Sequence, residues 1–279
     1  MKRILLSLFV LNTFLVFSQS LVPQFNKTVS FVYKHFENEL RPNGTAFLVS
    51  IPALREEGNY VYLVTAKHVV QDENGVFMKK IYFRFNKKEG GSEMFTLVLK
   101  EAPKKSFYVH DDESVDLVVF PVVIPSHLDI KHIPISQLIE KEDYENNNIY
   151  LGNEVFFTGL FTPYIGNESI NPIFRFGRFC LFPDEKIEFV NFKREMLLIE
   201  SSSFGGNSGS PVLCLYQKDN KKRVALVGVV MGSFNEGQII ENSVKNNVVR
   251  SSLGISAITP AKFIKEILYC PELIASRVN

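Results

Sequence analysis

Three side chains suited to acyl transfer stand far apart in this chain: His68 in "LVTAKH", Asp116 in "VDLVVF" and Ser208 in "GGNSGSP". Acyl transfer at a serine needs a hydroxyl, a base to take its proton, a carboxylate to fix the base's tautomer, and N–H donors for the oxyanion. Each part has one candidate. His68 closes a strongly β-patterned run, Asp116 directly precedes an apolar strand, and Gly206 offers an unobstructed backbone N–H two residues ahead of Ser208. Singly, each has an ordinary reading: a His after a strand is structural, an Asp before a strand serves a turn, and a Gly-Ser tract is a loop. What decides "SSSFGGNSGSP" (201–211) is whether the rest of the chain frames it.

The frame consists of short β-runs separated by turn chemistry. "TAFLVS" (45–50), "NYVYLVTAKHVV" (59–70), "KIYFRFN" (80–86), "MFTLVLK" (94–100) and "VDLVVFPVV" (115–123) form a first group. "NEVFFTGLF" (153–161), "IFRFGRFC" (173–180), "IEFVNF" (187–192), "MLLIES" (196–201), "SPVLCLY" (210–216), "RVALVGVVMGS" (223–233) and "SLGISAIT" (252–259) form a second. Runs rich in Val, Phe, Tyr and Leu, closed by Gly, Asn, Asp or Lys clusters, predict an all-β protein of antiparallel sandwiches or barrels. The predicted organisation is an N-terminal β-domain over 24–125, a polar connector over 126–150 and a second β-domain over 151–258. The connector carries one short helical pattern near 136–142. A C-terminal amphipathic helix follows over 259–270, with Thr259 as cap, Pro260 at its first position and apolar residues at 263, 264, 267 and 268.

The first twenty residues have the order of a secretory signal peptide: basic Lys2 and Arg3, an apolar run from Ile4 to Phe17, then Ser18 and Ser20 with cleavage after Ser20. The expected location is secreted or periplasmic, with no stable membrane span after cleavage. With 31 basic and 30 acidic residues, net charge +1, no global field points to nucleic acid. Cys180, Cys214 and Cys270 are too few for a disulfide scaffold and match no zinc spacing, so they read as buried apolar residues. His35, His110, His127 and His132 read as surface or loop residues, and their spacing gives no metal site.

The motifs "GTAFLV", "VTAKHV", "VDLVVF", "GNSGSP" and "VGVVMGS", in this order, resemble the trypsin/chymotrypsin-fold serine peptidases, closest to the bacterial trypsin-like group that includes the HtrA-like proteases. The resemblance covers roughly residues 40–268. It implies two six-stranded antiparallel β-barrels with the site in the cleft between them. The first barrel would supply His68 and Asp116, the second Ser208, with the Gly206 and Ser208 N–H groups as oxyanion hole. It also implies hydrolysis of protein or peptide substrates through an acyl-enzyme, without cofactor or metal. By the same resemblance Ser202 lies at the base of the primary specificity pocket, with Val230, Met231, Gly232 and Gly254 as walls. No acid sits at that base, so the pocket is expected to take small or apolar side chains.

The departures from the family pattern carry information. Asn207 stands where animal digestive enzymes have an Asp that pairs with a freshly cut N-terminus, so the loop needs no such cut. Lys67 replaces a small residue beside the base, and Ser210 replaces a common Gly. Cys214 matches one position of a frequent family disulfide whose second position reads Val155, so that bridge is missing. A trypsin-fold protein with an intact triad can also be a non-catalytic module that binds peptide or a partner, and that is the alternative reading.

Overall fold

The computed structural model describes residues 22–37, 39–53, 57–100, 105–242 and 245–277, with 237–250 described by backbone alone. The signal peptide expected over 1–20 lies outside the described residues. No helix among the described residues is long and apolar enough to cross a membrane.

The first half is one antiparallel sheet with a short parallel addition. Its strands are β1 (Val29–Phe36), β2 (Glu39–Pro52), β3 (Asn59–Thr65), β4 (Lys80–Asn86), β5 (Ser92–Val98), β6 (Tyr108–Val109), β7 (Val118–Val122) and β8 (Ile133–Pro134). They pair in the order β5-β4-β1-β2-β3-β7-β6, and β8 joins β2 in parallel. The alternation in "KIYFRFN" shows why: Ile81, Phe83 and Phe85 are buried while the residues between them are not. Successive side chains of a strand point to opposite faces, so one face is sealed against Leu48, Leu63 and Phe120.

The second half closes on itself. β9 (Glu154–Gly159), β10 (Ile173–Leu181), β13 (Leu197–Glu200), β14 (Pro211–Lys218), β15 (Lys221–Asn242) and β16 (Lys245–Pro260) form a closed barrel in the order β10-β13-β16-β15-β14-β9. The two-stranded hairpin of β11 (Ile187–Phe189) and β12 (Phe192–Arg194) stands outside it. Val190 and Asn191, at φ +47° and +64°, make its two-residue turn, the left-handed geometry that matches strand twist.

Three local expectations shift. The β-run 59–70 ends as a strand at Thr65, and Lys67–Val70 is a 3-10 turn closed by Val69 N–H on the Ala66 carbonyl at 3.1 Å. Lys67 N–H leaves the ladder for the Asp116 carbonyl at 3.3 Å, so hydrogen bonding overrides an unbroken apolar pattern. The pattern near 136–142 divides into a 3-10 turn (Ile135–Gln137) and α1 (Lys141–Glu145), whose start is fixed by a Glu140–Asp143 capping box. The helix expected over 259–270 is α2 (Lys262–Leu268), followed by α3 (Pro271–Ser276). Pro260 instead ends β16 opposite Gly228, a strand terminus where its missing N–H costs nothing. The apolar side of α2, Phe263, Ile264, Ile267 and Leu268, is buried as the pattern predicts. All three cysteines are free; Cys214 is buried, Cys270 half-buried and Cys180 exposed, so the buried reading holds for Cys214 alone.

Candidate active site

Asp116 takes its position from the strand it precedes. Leu117, Val118, Val119 and Phe120 are fully buried, which draws the carboxylate inward until it is only 4% exposed. His68, on its 3-10 turn, meets it twice: the backbone N–H donates to Oδ1 at 3.0 Å and the ring Nδ1–H donates to Oδ2 at 2.6 Å. A proton fixed on Nδ1 leaves Nε2 as the acceptor, on a side chain still 48% exposed. Desolvation by the surrounding protein disfavours the imidazolium, but the charge and hydrogen bond of Asp116 outweigh it and raise the His68 pKa above its ordinary 6.5. For Asp116 burial pushes the other way, yet the His68 charge and its two hydrogen bonds hold the carboxyl below the ordinary range. The pair is therefore a base made stronger by a buried anion.

The turn that carries Ser208 is built largely from its own backbone. Asn207 N–H donates to the Phe204 carbonyl at 3.0 Å, and Ser210 N–H to the Asn207 carbonyl at 3.0 Å. Gly209 N–H donates to the Val230 carbonyl at 2.8 Å, and Val230 N–H to the Ser210 carbonyl at 2.9 Å. Gly206 sits at φ +97°, and a Cβ there would stand 2.9 Å from Leu160, so backbone and space both require glycine. The Gly205 carbonyl is turned toward the Thr162 hydroxyl at 3.5 Å, so the Gly206 N–H across the same planar peptide points the other way. Among the described residues, neither the Gly206 nor the Ser208 N–H has a protein acceptor. Two unsatisfied donors on one turn are what an oxyanion hole needs.

Asn207 braces this turn through its side-chain amide. Buried to 2% exposure, its Oδ1 accepts the Phe204 N–H at 2.9 Å and its Nδ2 donates to the Leu160 carbonyl at 2.8 Å. A second brace, not expected from the sequence, comes from the first half: Thr45, the polar residue inside "GTAFLV". Its N–H donates to the Ser208 carbonyl at 2.9 Å and its hydroxyl to the Gly206 carbonyl at 2.8 Å, while that hydroxyl accepts the Leu160 N–H at 2.9 Å. Thr65 in turn donates to the Thr45 carbonyl at 2.6 Å. The signal available was a threonine in an otherwise apolar buried run. Thr45→Val, of matching shape, leaves the Gly206 carbonyl and Leu160 N–H unpaired in the interior. It is expected to cost about 2–4 kcal/mol, read as a lowered urea midpoint.

Ser208 and the His68 turn meet at Gly44. A Cβ on Gly44 would lie 2.6 Å from Val69 and 3.1 Å from the Ser208 carbonyl, so the two segments approach as closely as a glycine permits. The Ser208 hydroxyl itself donates to the Met231 carbonyl at 3.2 Å, and no Ser208–His68 hydrogen bond is present among the described residues. That carbonyl is free because β15 bulges there: Val230 pairs Ile258 and Gly232 pairs Ala257, leaving Met231 extra.

The residues expected to form the pocket divide. Ser202 is half-buried, and its neighbours are pinned to β16: Ser256 donates to the Ser201 carbonyl at 2.7 Å and accepts from the Ser203 hydroxyl at 2.9 Å. Ser256 was not expected, because "GISAI" reads as plain strand. Val230 points into the core, fully buried, and its contribution is the backbone hold on Gly209 and Ser210. The Met231 side chain is also buried, against Met196, Leu198 and Ala257. Gly232 lies under the Phe189 ring of the β11–β12 hairpin, 3.1 Å from where a Cβ would stand, and Gly254 takes φ +75°. Lys67, beside the base, spans to the Glu113 carbonyl at 2.9 Å.

Ser210 is a local cost. Its hydroxyl is fully buried with no partner among the described residues. Ser210→Ala removes an orphaned polar atom without altering the backbone and is expected to stabilise the protein by about 1 kcal/mol, measured by equilibrium urea unfolding.

No family model and no curated protein matches the sequence. Among solved structures the chain is similar to the MamO protease domain from Magnetospirillum magneticum (apo form), with a TM-score of 0.50 and 14% identity over 87% of this chain and 96% of that one. At that identity the likeness shows architecture alone. The closed barrel, the second sheet and this match together establish a trypsin-like protease fold.

Proposed function

We propose that the chain is an exported serine endopeptidase, related within its fold to the bacterial HtrA-like group. The Ser208 hydroxyl attacks the scissile carbonyl as His68 Nε2 takes its proton, and Asp116 stabilises the imidazolium. The tetrahedral oxyanion is taken by the Gly206 and Ser208 N–H groups. His68 then protonates the leaving amine, and water releases the acyl group by the same steps. Half-buried Ser202, the uncharged residue expected at the pocket base, favours substrates with small or apolar side chains before the cleaved bond. The order of residues 1–20 favours export. The observation that carries the reading is the pair of unclaimed N–H donors on the turn of a serine, beside a histidine whose basicity a buried carboxylate raises.

One observation favours the rival reading, a catalytically inactive trypsin-fold module that binds peptide or a partner: the Ser208 hydroxyl rests on the Met231 carbonyl. Turning it toward His68 gives up one ordinary hydrogen bond, about 1 kcal/mol, which a bound substrate can offset. A fluorophosphonate probe decides between them. Labelling of the folded protein supports the peptidase; absence of labelling, with a fluorescent peptide still bound in the cleft, establishes the binding module.

A further inference from the structure

Arg194, the last residue of β12, carries no signal in the sequence that sets it apart. The residue is 8% exposed; its guanidinium lies 4.7 Å from the Phe192 ring centroid and donates through Nε to the Phe189 carbonyl at 3.1 Å. Its Nη1 crosses to the first half and donates to the Ser114 carbonyl at 2.5 Å, two residues before Asp116. Arg194 forms no contact ion pair among the described residues. A buried guanidinium held only by carbonyls is costly unless an anion lies nearby. Asp116, 4% exposed, is the buried anion on the segment that Arg194 Nη1 holds; the Arg194 charge helps keep its carboxyl below the ordinary range, and the carboxylate takes hydrogen bonds only from His68 among the described residues.

We propose that Arg194 is a positioning residue for the His68–Asp116 pair: its buried cation is the counter-charge of the Asp116 carboxylate and its fork pins the segment that carries Asp116. The hairpin has a second tether to the same segment, Lys186 to Asp112 at 2.9 Å, and Asp112 Oδ1 also accepts the Ser114 N–H. Its Phe189 ring packs on Phe234, 5.0 Å between centroids, along the strand that continues past Met231. The hairpin therefore touches both the acid's segment and the strand beside the nucleophile. Other charges facing the pair are Lys34 and Lys67, with Glu113 and Asp112 acting on Lys67; none of these is buried to the extent that Arg194 is. Arg194 disfavours the His68 imidazolium, so the base is poised between an anion and a cation rather than paired with an anion alone.

The rate consequence rests on the peptidase reading; the effect on His68 does not. The test uses the full chain as wild type, Arg194→Gln, Arg194→Met and Arg194→Lys. His68 is titrated by histidine-labelled NMR, its signal assigned with His68→Gln, alongside fluorophosphonate labelling rate against pH. Both neutral variants are expected to move the His68 midpoint up by about half a pH unit, with labelling on the acid side falling about threefold. Arg194→Lys is expected to keep the wild-type midpoint. No shift or a downward shift in a folded neutral variant overturns the proposal, as does a lysine variant that behaves like the neutral ones. If both neutral variants fail to fold, Arg194→Lys decides alone: a wild-type midpoint supports the charge, and a shifted midpoint or an unfolded protein overturns it. If wild type is not labelled, the peptidase reading falls while the His68 titration still judges Arg194.

Discussion

Replacing Ser208 with alanine is expected to abolish fluorophosphonate labelling and lower peptide hydrolysis by about 10⁴–10⁶-fold, leaving the fold intact. The side chain is half-buried, and its single hydrogen bond goes to a backbone carbonyl that solvent or a neighbouring donor can satisfy after its loss. The turn around it is held by Asn207, Thr45 and Val230, none of which uses the Ser208 hydroxyl. Its two N–H donors stay in place, so weak residual hydrolysis from oxyanion stabilisation alone is expected. The check is turnover of a quenched peptide alongside an unchanged urea midpoint; equal turnover in variant and wild type would place the nucleophile elsewhere.

Replacing Asp116 with asparagine is the second large effect, about 10⁴-fold in turnover. An asparagine can still accept the His68 backbone N–H through its oxygen, but its amide N–H then faces Nδ1. Nδ1 becomes the acceptor, the ring proton moves to Nε2, and the nitrogen that should take the Ser208 proton is occupied. The pH profile changes as well. Turnover needs neutral His68, so the wild-type acid limb lies above the ordinary 6.5, and loss of the carboxylate moves it down. For stability, the raised His68 pKa contributes fully below 6.5 and is lost as pH rises through the folded value. The lowered Asp116 pKa contributes above 3.8 and is lost as pH falls through its folded value. The stability gap between wild type and Asp116→Asn is therefore expected to be widest near about pH 5 and to narrow on either side. Urea midpoints across that range test this, and a gap that does not vary with pH would deny the ion pair.

The legible features of the sequence are the local ones. Strand alternation in "KIYFRFN" depends on neighbours two positions apart, and the Gly and Asn of the Ser208 turn announce backbone geometry directly. His68 and Asp116 were legible as an ordered pattern with Ser208. Their pairing geometry was not, because the run through "AKHVV" reads as continuous strand until Lys67 N–H finds the Asp116 carbonyl. Thr45 was hidden for a related reason: its partners at Gly206 and Leu160 are more than a hundred residues away, and no period encodes such a bond. Arg194 in "NFKREM" looks like a solvated charge beside Lys193, and only the hairpin's crossing to Ser114 buries it. The bulge at Met231, which receives the Ser208 hydroxyl, is a mismatch between two strands and has no signature in either one.

The Thr45 clamp bears on when the Ser208 turn acquires its shape during synthesis of the chain. Residue 45 emerges early and residue 206 late, so the hydroxyl that fixes the Gly206 carbonyl waits through most of translation for its partner. A contact closing across that much chain forms late, after its loop-closure entropy has been met by the surrounding barrel. Until then the glycine-rich Ser208 segment lacks the braces that shape its turn in the folded chain. On the peptidase reading proposed above, a nascent chain therefore carries Ser208 before its two N–H donors are aligned. The turn takes its final shape only when both halves have folded and docked.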